Sequence, residues 1–262
     1  MALFLLQKEK GMDMDLDVAI LREILQNQKY LHSYAELPKE EIAGMLKTGS
    51  GQSQLMCPVG SLNFVSTWLK YYGVANMNPI EVPPVLQKQE YLKRDYSIVK
   101  KPQLPKDGRY FVKYVSKLKA FNYIGDIFIT GMSDLPDGLY QVSEVVDIRA
   151  EYRCFIHLDK IIAINYYNGD CTVFPDIKLI EKMVANYMLD LNRPLAYTMD
   201  VAVTADRGTV LLEIHPWVSV GLYGYMFGNE LPYCYLDGIA YYLTKNVPIR
   251  ETEIKYKEEI RL

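Results

Sequence analysis

The sequence predicts an α+β chain: a small α/β lobe over residues 1–85, then a core of two further α+β lobes over residues 86–262. Three observations carry this. Up to residue 85, strand-like and helix-like stretches alternate, the order of a βα unit. From residue 109 onward, short runs rich in β-formers follow one another, and one helical stretch interrupts them. Between the two parts runs a basic, proline-punctuated connection.

The composition is that of a globular chain. Of 262 residues half are hydrophobic and 23% are charged, enough for a sizeable core in one large domain or two to three small lobes. A net charge of −3 leaves no electrostatic footprint for non-specific nucleic-acid binding. Cys57, Cys154, Cys171 and Cys234 form no C-x-x-C pair, so neither a zinc site nor a dithiol redox motif is suggested. The short apolar N-terminal run is followed at once by charge, unlike a signal peptide, and no stretch reaches transmembrane length. The expected location is the cytoplasm. The 22 tyrosines suit either an open cleft or a partner surface.

In chain order, residues 2–7 read as a short buried strand. Residues 15–28 read as a helix with an apolar stripe of Val18, Ile20, Leu21, Ile24 and Leu25. The polar loop 47–53 contains glycines but lacks the G-K-[ST] ending of a P-loop, and reads as a linker. A strand at 55–59 runs through Gly60 into a helix that ends at Gly73, with Ser61 as its N-cap. That junction would suit an anion, but it is first of all simply how a βαβ unit turns. Residues 77–82 read as the next strand, ended by Pro83-Pro84.

The connection 87–106 carries Lys88, Lys93, Arg94, Lys100, Lys101 and Lys106, and reads as a solvated linker or as a patch for phosphate or acidic substrates. Strands follow at 109–114 and 139–146, and a hairpin spans 151–158 and 161–166 around Asp159-Lys160. In the first arm of that hairpin Tyr152, Cys154, Ile156 and Leu158 share one face, while Glu151, Arg153, Phe155 and His157 share the other. The second set resembles the wall of a cleft. Residues 175–191 form a helix, with Ile177, Ile180, Met183, Val184, Tyr187 and Met188 on one side. Residues 231–245 form a second, tyrosine-rich helix, and the charged tail after it is exposed or docked on a partner.

The most informative stretch is 197–224. Two β-rich runs, 197–204 and 209–214, flank the turn signal Ala205-Asp206-Arg207-Gly208. If the turn closes with Thr204 opposite Thr209, then Asp200 lies opposite Glu213, and His215 shares their face. Facing like charges destabilise a strand pair unless something sits between them. A cation would do so, Mg²⁺ being the usual hard ion for carboxylate oxygens; a solvated face with two harmless acids is the other reading. Without a cation, repulsion should raise the pKa of at least one acid, and Asp200→Asn should be neutral or mildly stabilising.

Taken together, several stretches resemble the ATP-grasp ligases, most nearly a clade of short ATP-grasp proteins of bacteria and phages. They are F-V-K at Phe111-Val112-Lys113, K-A-F at Lys119-Ala120-Phe121 before Gly125, and the hinge strand Q-V-S-E-V-V-D at 141–147. The E-Y-R-C-F-I strand from Glu151 follows, and Glu213-Ile214-His215-Pro216 stands where the family usually has E-x-N-P, with His215 in place of Asn. The resemblance implies an ATP-grasp fold: an N-terminal α/β pre-ATP-grasp lobe at 1–85 and two α+β lobes clasping the nucleotide. Within 86–262 it implies a linker at 86–108, a nucleotide lobe at about 109–147 and a metal-binding lobe at about 148–262.

It also implies roles. Lys113 reaches the nucleotide phosphates, the hinge around Glu144 and Val146 meets adenine, and Glu151 holds the ribose. Arg153 and Lys119 serve catalysis, and Asp200, Glu213 and His215 hold the metal. ATP and Mg²⁺ are the implied cofactors, with Mn²⁺ a second candidate because imidazole is a weaker partner for Mg²⁺. The implied activity is ATP-dependent carboxylate–amine ligation, forming an amide or peptide bond through an acyl phosphate. The carboxylate and the amine stay unnamed, a peptide or protein among the candidates, and no membrane is implied. A catalytically weak nucleotide-binding or protein-interaction module on the same fold is the alternative. A nucleic-acid-modifying enzyme is disfavoured by the net charge, although the basic 88–106 stretch keeps it open.

Overall fold

Alternation of strand and helix near the N-terminus produces parallel pairing. In the computed structural model, which describes residues 2–47, 55–118, 122–126, 134–218, 220–224 and 228–246, β1 (Ala2–Gln7) lies between β2 (His32–Leu37) and β3 (Met56–Val59) in a three-stranded parallel sheet. As the central strand β1 is covered on both faces, so Phe4, Leu5 and Leu6 are all buried. Helix α1 (Leu16–Asn27) buries Val18, Ile20, Leu21 and Leu25, and Asp15 caps it by accepting from the Asp17 N–H. Helix α2 (Lys39–Lys47) follows β2. Helix α3 (Leu62–Tyr71) starts at Ser61, whose Oγ accepts from the Phe64 N–H, and Gly73 closes it at φ +87. The strand–glycine–helix junction offers an anion little: the Ser61 N–H already donates to the Gln7 side chain, and Gly60 lies hard against that same side chain.

The chain divides into two compact units, Met1–Asn76 with Phe227–Leu262, and Met77–Met226. Helix α6 (Leu231–Asn246) therefore groups with the N-terminal unit, although in sequence it follows the core. Its apolar residues Leu231, Cys234, Tyr235, Ile239 and Tyr242 are buried, and it packs on α1 and β3. His32 rests edge-on between Phe4 and Tyr233. Residues 77–82 are not a strand: they run without regular structure into a 3-10 turn at Pro84–Leu86, and Val82 and Leu86 join the core of the second unit.

The second unit holds two four-stranded antiparallel sheets. A one-turn helix α4 (Gln89–Leu92) leads into β4 (Tyr96–Lys100), so the basic connection is structured and supplies an edge strand. With β5 (Arg109–Tyr114), β6 (Asn122–Asp126) and β7 (Leu139–Glu144) it forms a sheet of order β4-β7-β5-β6 over a small core of Leu104, Val112, Tyr140 and Val142. Strands β8 (Ile148–His157), β9 (Lys160–Gly169), β10 (Ala196–Thr204) and β11 (Gly208–Pro216) form the second, of order β11-β10-β8-β9. One face of it, with Tyr152, Cys154, Ile156, Met199 and Val201, packs on Ile180, Met183, Val184 and Tyr187 of α5 (Ile177–Tyr187). Period-two alternation then places Glu151, Arg153, Phe155, Thr198 and Asp200 on the opposite face. No helix among the described residues is long and apolar enough to cross a membrane.

Gly169 closes β9 at φ +93, where a Cβ would run into the Arg149 carbonyl oxygen. Gly169→Ala is expected to cost on the order of 2–3 kcal/mol, read as a lower urea midpoint. A change below about 0.5 kcal/mol would show that the strand end relaxes freely.

Candidate functional site

The turn between β10 and β11 closes one residue tighter than symmetric pairing predicts. Thr204 pairs with Gly208, Val203 with Thr209 and Val201 with Leu211. The register then shifts, leaving Leu212 as an extra residue, and Asp200 pairs with Glu213 after all. Leu211 thus joins the apolar core while Glu213, two residues on, faces the other way. The bulge is held from behind by Arg94, a buried residue of the basic connection. Its guanidinium donates to the carbonyls of Leu92 (3.1 Å), Leu211 (2.6 Å) and Leu212 (3.3 Å). Burial pushes the Arg94 pKa down to about 10, which leaves it charged at neutral pH. The turn is tied to the same segment: Lys93 Nζ donates to the Arg207 carbonyl and Arg207 Nη1 to the Lys93 carbonyl, each at 2.8 Å.

Five side chains gather on the face so produced. Arg153 sits opposite Asp200 across the β8–β10 pairing and holds it bidentately, Nε–Oδ1 2.8 Å and Nη2–Oδ2 2.7 Å. Asp200 is only 1% exposed. Lys113 reaches over from β5 to pair with Glu213, and His215 Nε2 lies 2.8 Å from Glu213 Oε1 and 3.7 Å from Asp200 Oδ2. Ligand atoms of Asp200, Glu213 and His215 all fall within 4.8 Å of one another. Two carboxylates and an imidazole at that spacing fit a divalent cation chemically.

Repulsion between the two facing acids does not govern this face. Burial pushes the Glu213 carboxyl up, but His215 and Lys113 beside it outweigh burial and hold it well below the usual carboxylate range. Burial likewise lowers the His215 imidazole, and Glu213 and Asp200 more than restore it, so its pKa is raised. The expectation that repulsion raises a carboxyl pKa is not met at Glu213, and the bidentate Arg153 contact replaces the harmless outcome expected of Asp200→Asn with a predicted loss. The acids are separated by cations of the chain itself, and Asp200 is the sole carboxylate partner of the buried Arg153 among the described residues.

These groups open onto a cleft of about 440 Å³ whose walls include Lys113, Lys117, Arg153, Glu213, His215 and Tyr223. Its rim at 220–224 is fastened from several directions. Arg153 Nη1 donates to the Gly221 carbonyl at 3.2 Å, and Asn165 Nδ2 donates to the carbonyls of Leu222 and Tyr223 at 3.3 and 3.1 Å. Tyr223 stacks on Tyr167 with ring centres 4.7 Å apart, and the Arg153 guanidinium lies 4.9 Å from the Tyr223 ring.

The other residues singled out from sequence lie elsewhere. Glu144 is held by both terminal nitrogens of Arg207, at 2.7 and 2.5 Å, and Val146 is half-buried in the connection to β8. Glu151 shares the face of Arg153, where it accepts from the Tyr167 hydroxyl (2.9 Å) and from Asn168 Nδ2 (2.6 Å). Neither Glu144, Val146 nor Glu151 lines the cleft. Lys119 lies outside the described residues. Sequence reasoning missed Asn165, Tyr167 and Tyr223; it named Arg94 only within the basic connection and Arg207 only within the turn, without their partners. Tyr167 is the extra residue of a second bulge, where β8 pairs Glu151 with Asn168 but Tyr152 with Tyr166, and no spacing rule announces it.

The sequence model of a family described as an ATP-grasp domain, the second family of its clade, matches residues 88–229. Among solved structures, D-alanine–D-alanine ligase from Bacillus anthracis superposes with a TM-score of 0.51 at 11% identity, covering 98% of this chain and 99% of that one. N5-carboxyaminoimidazole ribonucleotide synthetase from Thermotoga maritima gives a TM-score of 0.47 at 14% identity, covering 96% of this chain and 78% of that one. Macrocyclase MdnC from Microcystis aeruginosa MRC, bound with precursor peptide MdnA, gives 0.45 at 11% identity, covering 94% and 100%. Identities this low speak to fold alone. A search of curated proteins found no match.

Proposed function

The chain belongs to that clade family of ATP-grasp domains and has the ATP-grasp fold, and on that premise we propose that it is an ATP-dependent carboxylate–amine ligase. The observation that supports this best is the gathering of Lys113, Arg153, Glu213 and His215 on the walls of one cleft, with Asp200 directly behind Arg153. Phosphoryl transfer asks a protein mainly for positioning and charge neutralisation, and this set supplies both.

In the proposed reaction a carboxylate oxygen of the acid attacks the γ-phosphorus of ATP, ADP leaves, and an acyl phosphate forms. An amine nitrogen then attacks the acyl carbon, inorganic phosphate leaves, and the amine loses a proton. Lys113 and Arg153 bind phosphate oxygens, and Lys119 assists in the same step. Glu151, held in place by Tyr167 and Asn168, meets the ribose. The backbone around Glu144 and Val146 meets the base. A divalent cation held by Asp200, Glu213 and His215, Mg²⁺ or Mn²⁺, would neutralise charge on the phosphates. The acceptor would enter beside Lys117 and Tyr223.

One observation favours a second reading, a nucleotide-binding module with little turnover: Lys113 and Arg153 are already engaged by Glu213 and Asp200. A single experiment separates the two. ADP release from Mg·ATP is followed while amino acids and short peptides are supplied as acids and amines. A ligase releases ADP only when an acceptor pair is present, and Glu213→Gln is expected to lower that rate at least 100-fold, about the loss that follows removal of one charge-stabilising group. Nucleotide binding without ADP release would support the module, and absence of any nucleotide binding would sink both.

A further inference from the structure

We propose that this site is locked by its own charges, so that it takes up a phosphate anion and a divalent cation as a pair and neither of them well alone. The proposal rests on the nucleotide-binding reading above, and it concerns how that site is regulated. Its basis is the pairing of every formal charge in the cluster. Arg153 occupies both oxygens of Asp200, and Lys113 and His215 occupy Glu213. Lys113 and Arg153, the two cations assigned to phosphate oxygens, are thus spent on the two acids assigned to the metal.

Consider each ligand arriving by itself. A bare phosphate that drew Lys113 and Arg153 away would leave Asp200, 1% exposed, facing Glu213 with His215 alone beside the two acids. A bare metal ion that drew on both acids would leave Arg153 and Lys113 without their partners and close to the ion. Removing one member of a buried charge pair is costly, whereas exchanging one partner for another is not. Only a swap, with phosphate taking the cations as the metal takes the acids, leaves no charge orphaned. Such coupling is reciprocal by linkage.

The lock makes a prediction that a simple ligand set does not. Deleting a metal ligand should strengthen metal-free anion binding, and deleting a phosphate ligand should strengthen anion-free metal binding. Inorganic triphosphate in the presence of chelator, and Mn²⁺ with no anion, are titrated separately into the full chain, the first by calorimetry and the second by electron paramagnetic resonance. Glu213→Gln, which frees Lys113, is expected to bind triphosphate roughly tenfold more tightly than the unaltered protein. Lys113→Gln, which frees Oε2 of Glu213, is expected to bind Mn²⁺ roughly tenfold more tightly. Asp137→Asn, which removes an equal charge from a fully exposed side chain, serves as the control and is expected to change triphosphate affinity less than about twofold.

Affinities of Glu213→Gln for triphosphate, or of Lys113→Gln for Mn²⁺, that equal or fall below those of the unaltered protein would overturn the lock. So would a gain in Asp137→Asn as large as that in Glu213→Gln. Either variant decides by itself if the other fails to fold. No arm involves turnover, so a lock that fails in a protein that forms ADP leaves the ligase reading standing. A lock that holds in a protein that never does so leaves the module.

Discussion

Asp200→Ala is expected to destabilise the protein by about 3–5 kcal/mol, among the largest effects of any single substitution at the site. Arg153 and Asp200 lie opposite each other on adjacent central strands, and both are buried. The guanidinium cannot follow solvent when its partner is removed. It is anchored on β8, fastened to the Gly221 carbonyl and flanked by Tyr223. Truncation therefore leaves a buried cation with one carbonyl to bond among the described residues. Asp200→Asn keeps one acceptor oxygen and should lose less. Arg153→Met combined with Asp200→Leu removes both charges, and should recover most of the stability while abolishing phosphate binding. Urea unfolding reads these changes as a lower midpoint at unchanged slope. If Asp200→Ala unfolds within about 1 kcal/mol of the unaltered protein, the pair behaves as a surface ion pair and the buried reading is wrong.

Arg94→Met is the second large effect, expected at about 3 kcal/mol. Methionine can fill the volume, but it leaves the carbonyls of Leu92, Leu211 and Leu212 without the charged donor that serves them. Two of these carbonyls flank the bulge. Without Arg94 the ladder gains by expelling the extra residue, and a one-residue slip turns Glu213 toward the core and Leu212 toward the cleft. The substitution should therefore weaken Mg·ATP binding, although Arg94 lies outside the cleft lining. Amide exchange at 209–216 should rise together with the loss of binding. Lost stability with native protection across those amides would mean that the bulge holds itself, and that Arg94 only adds packing.

The hairpin shows how far counting reaches. Asp200 does face Glu213, although the turn closes one residue tighter than the symmetric closure that predicted it, and the bulge at Leu212 makes up the difference. The signal for the turn is local, but the carbonyls at the compensating bulge are bound by an arginine more than a hundred positions away. Strands with strong alternation were legible for the same reason that the hairpin was: β8 and β10 are buried on both faces, but one face packs on apolar residues while the other carries polar ones, and that difference imposes period two on the chain itself. Strand β2 was not, because only its end residues, His32 and Leu37, are buried and the middle of it carries no apolar alternation. Residues 77–82 misled in the opposite way. They carry Met77, Ile80 and Val82 at strand-like density, yet Val82 docks into a core without pairing to any described strand.

By itself the sequence determined the α+β class, strands β5 and β7 to β11, the two faces of β8, and that Glu213 and His215 share the face of Asp200; β6 lies where the sequence read only a loop. Each of these follows from the period of a strand and from the residues next to it. The tertiary structure alone decided the partners. That Arg153 binds Asp200, that Lys113 binds Glu213, that Arg207 takes both oxygens of Glu144 and that α6 lies against α1 and β3 all depend on registers and packing between segments far apart in the chain. A charge in the sequence carries no address. Its partner is chosen where burial makes an unpaired charge too costly to keep.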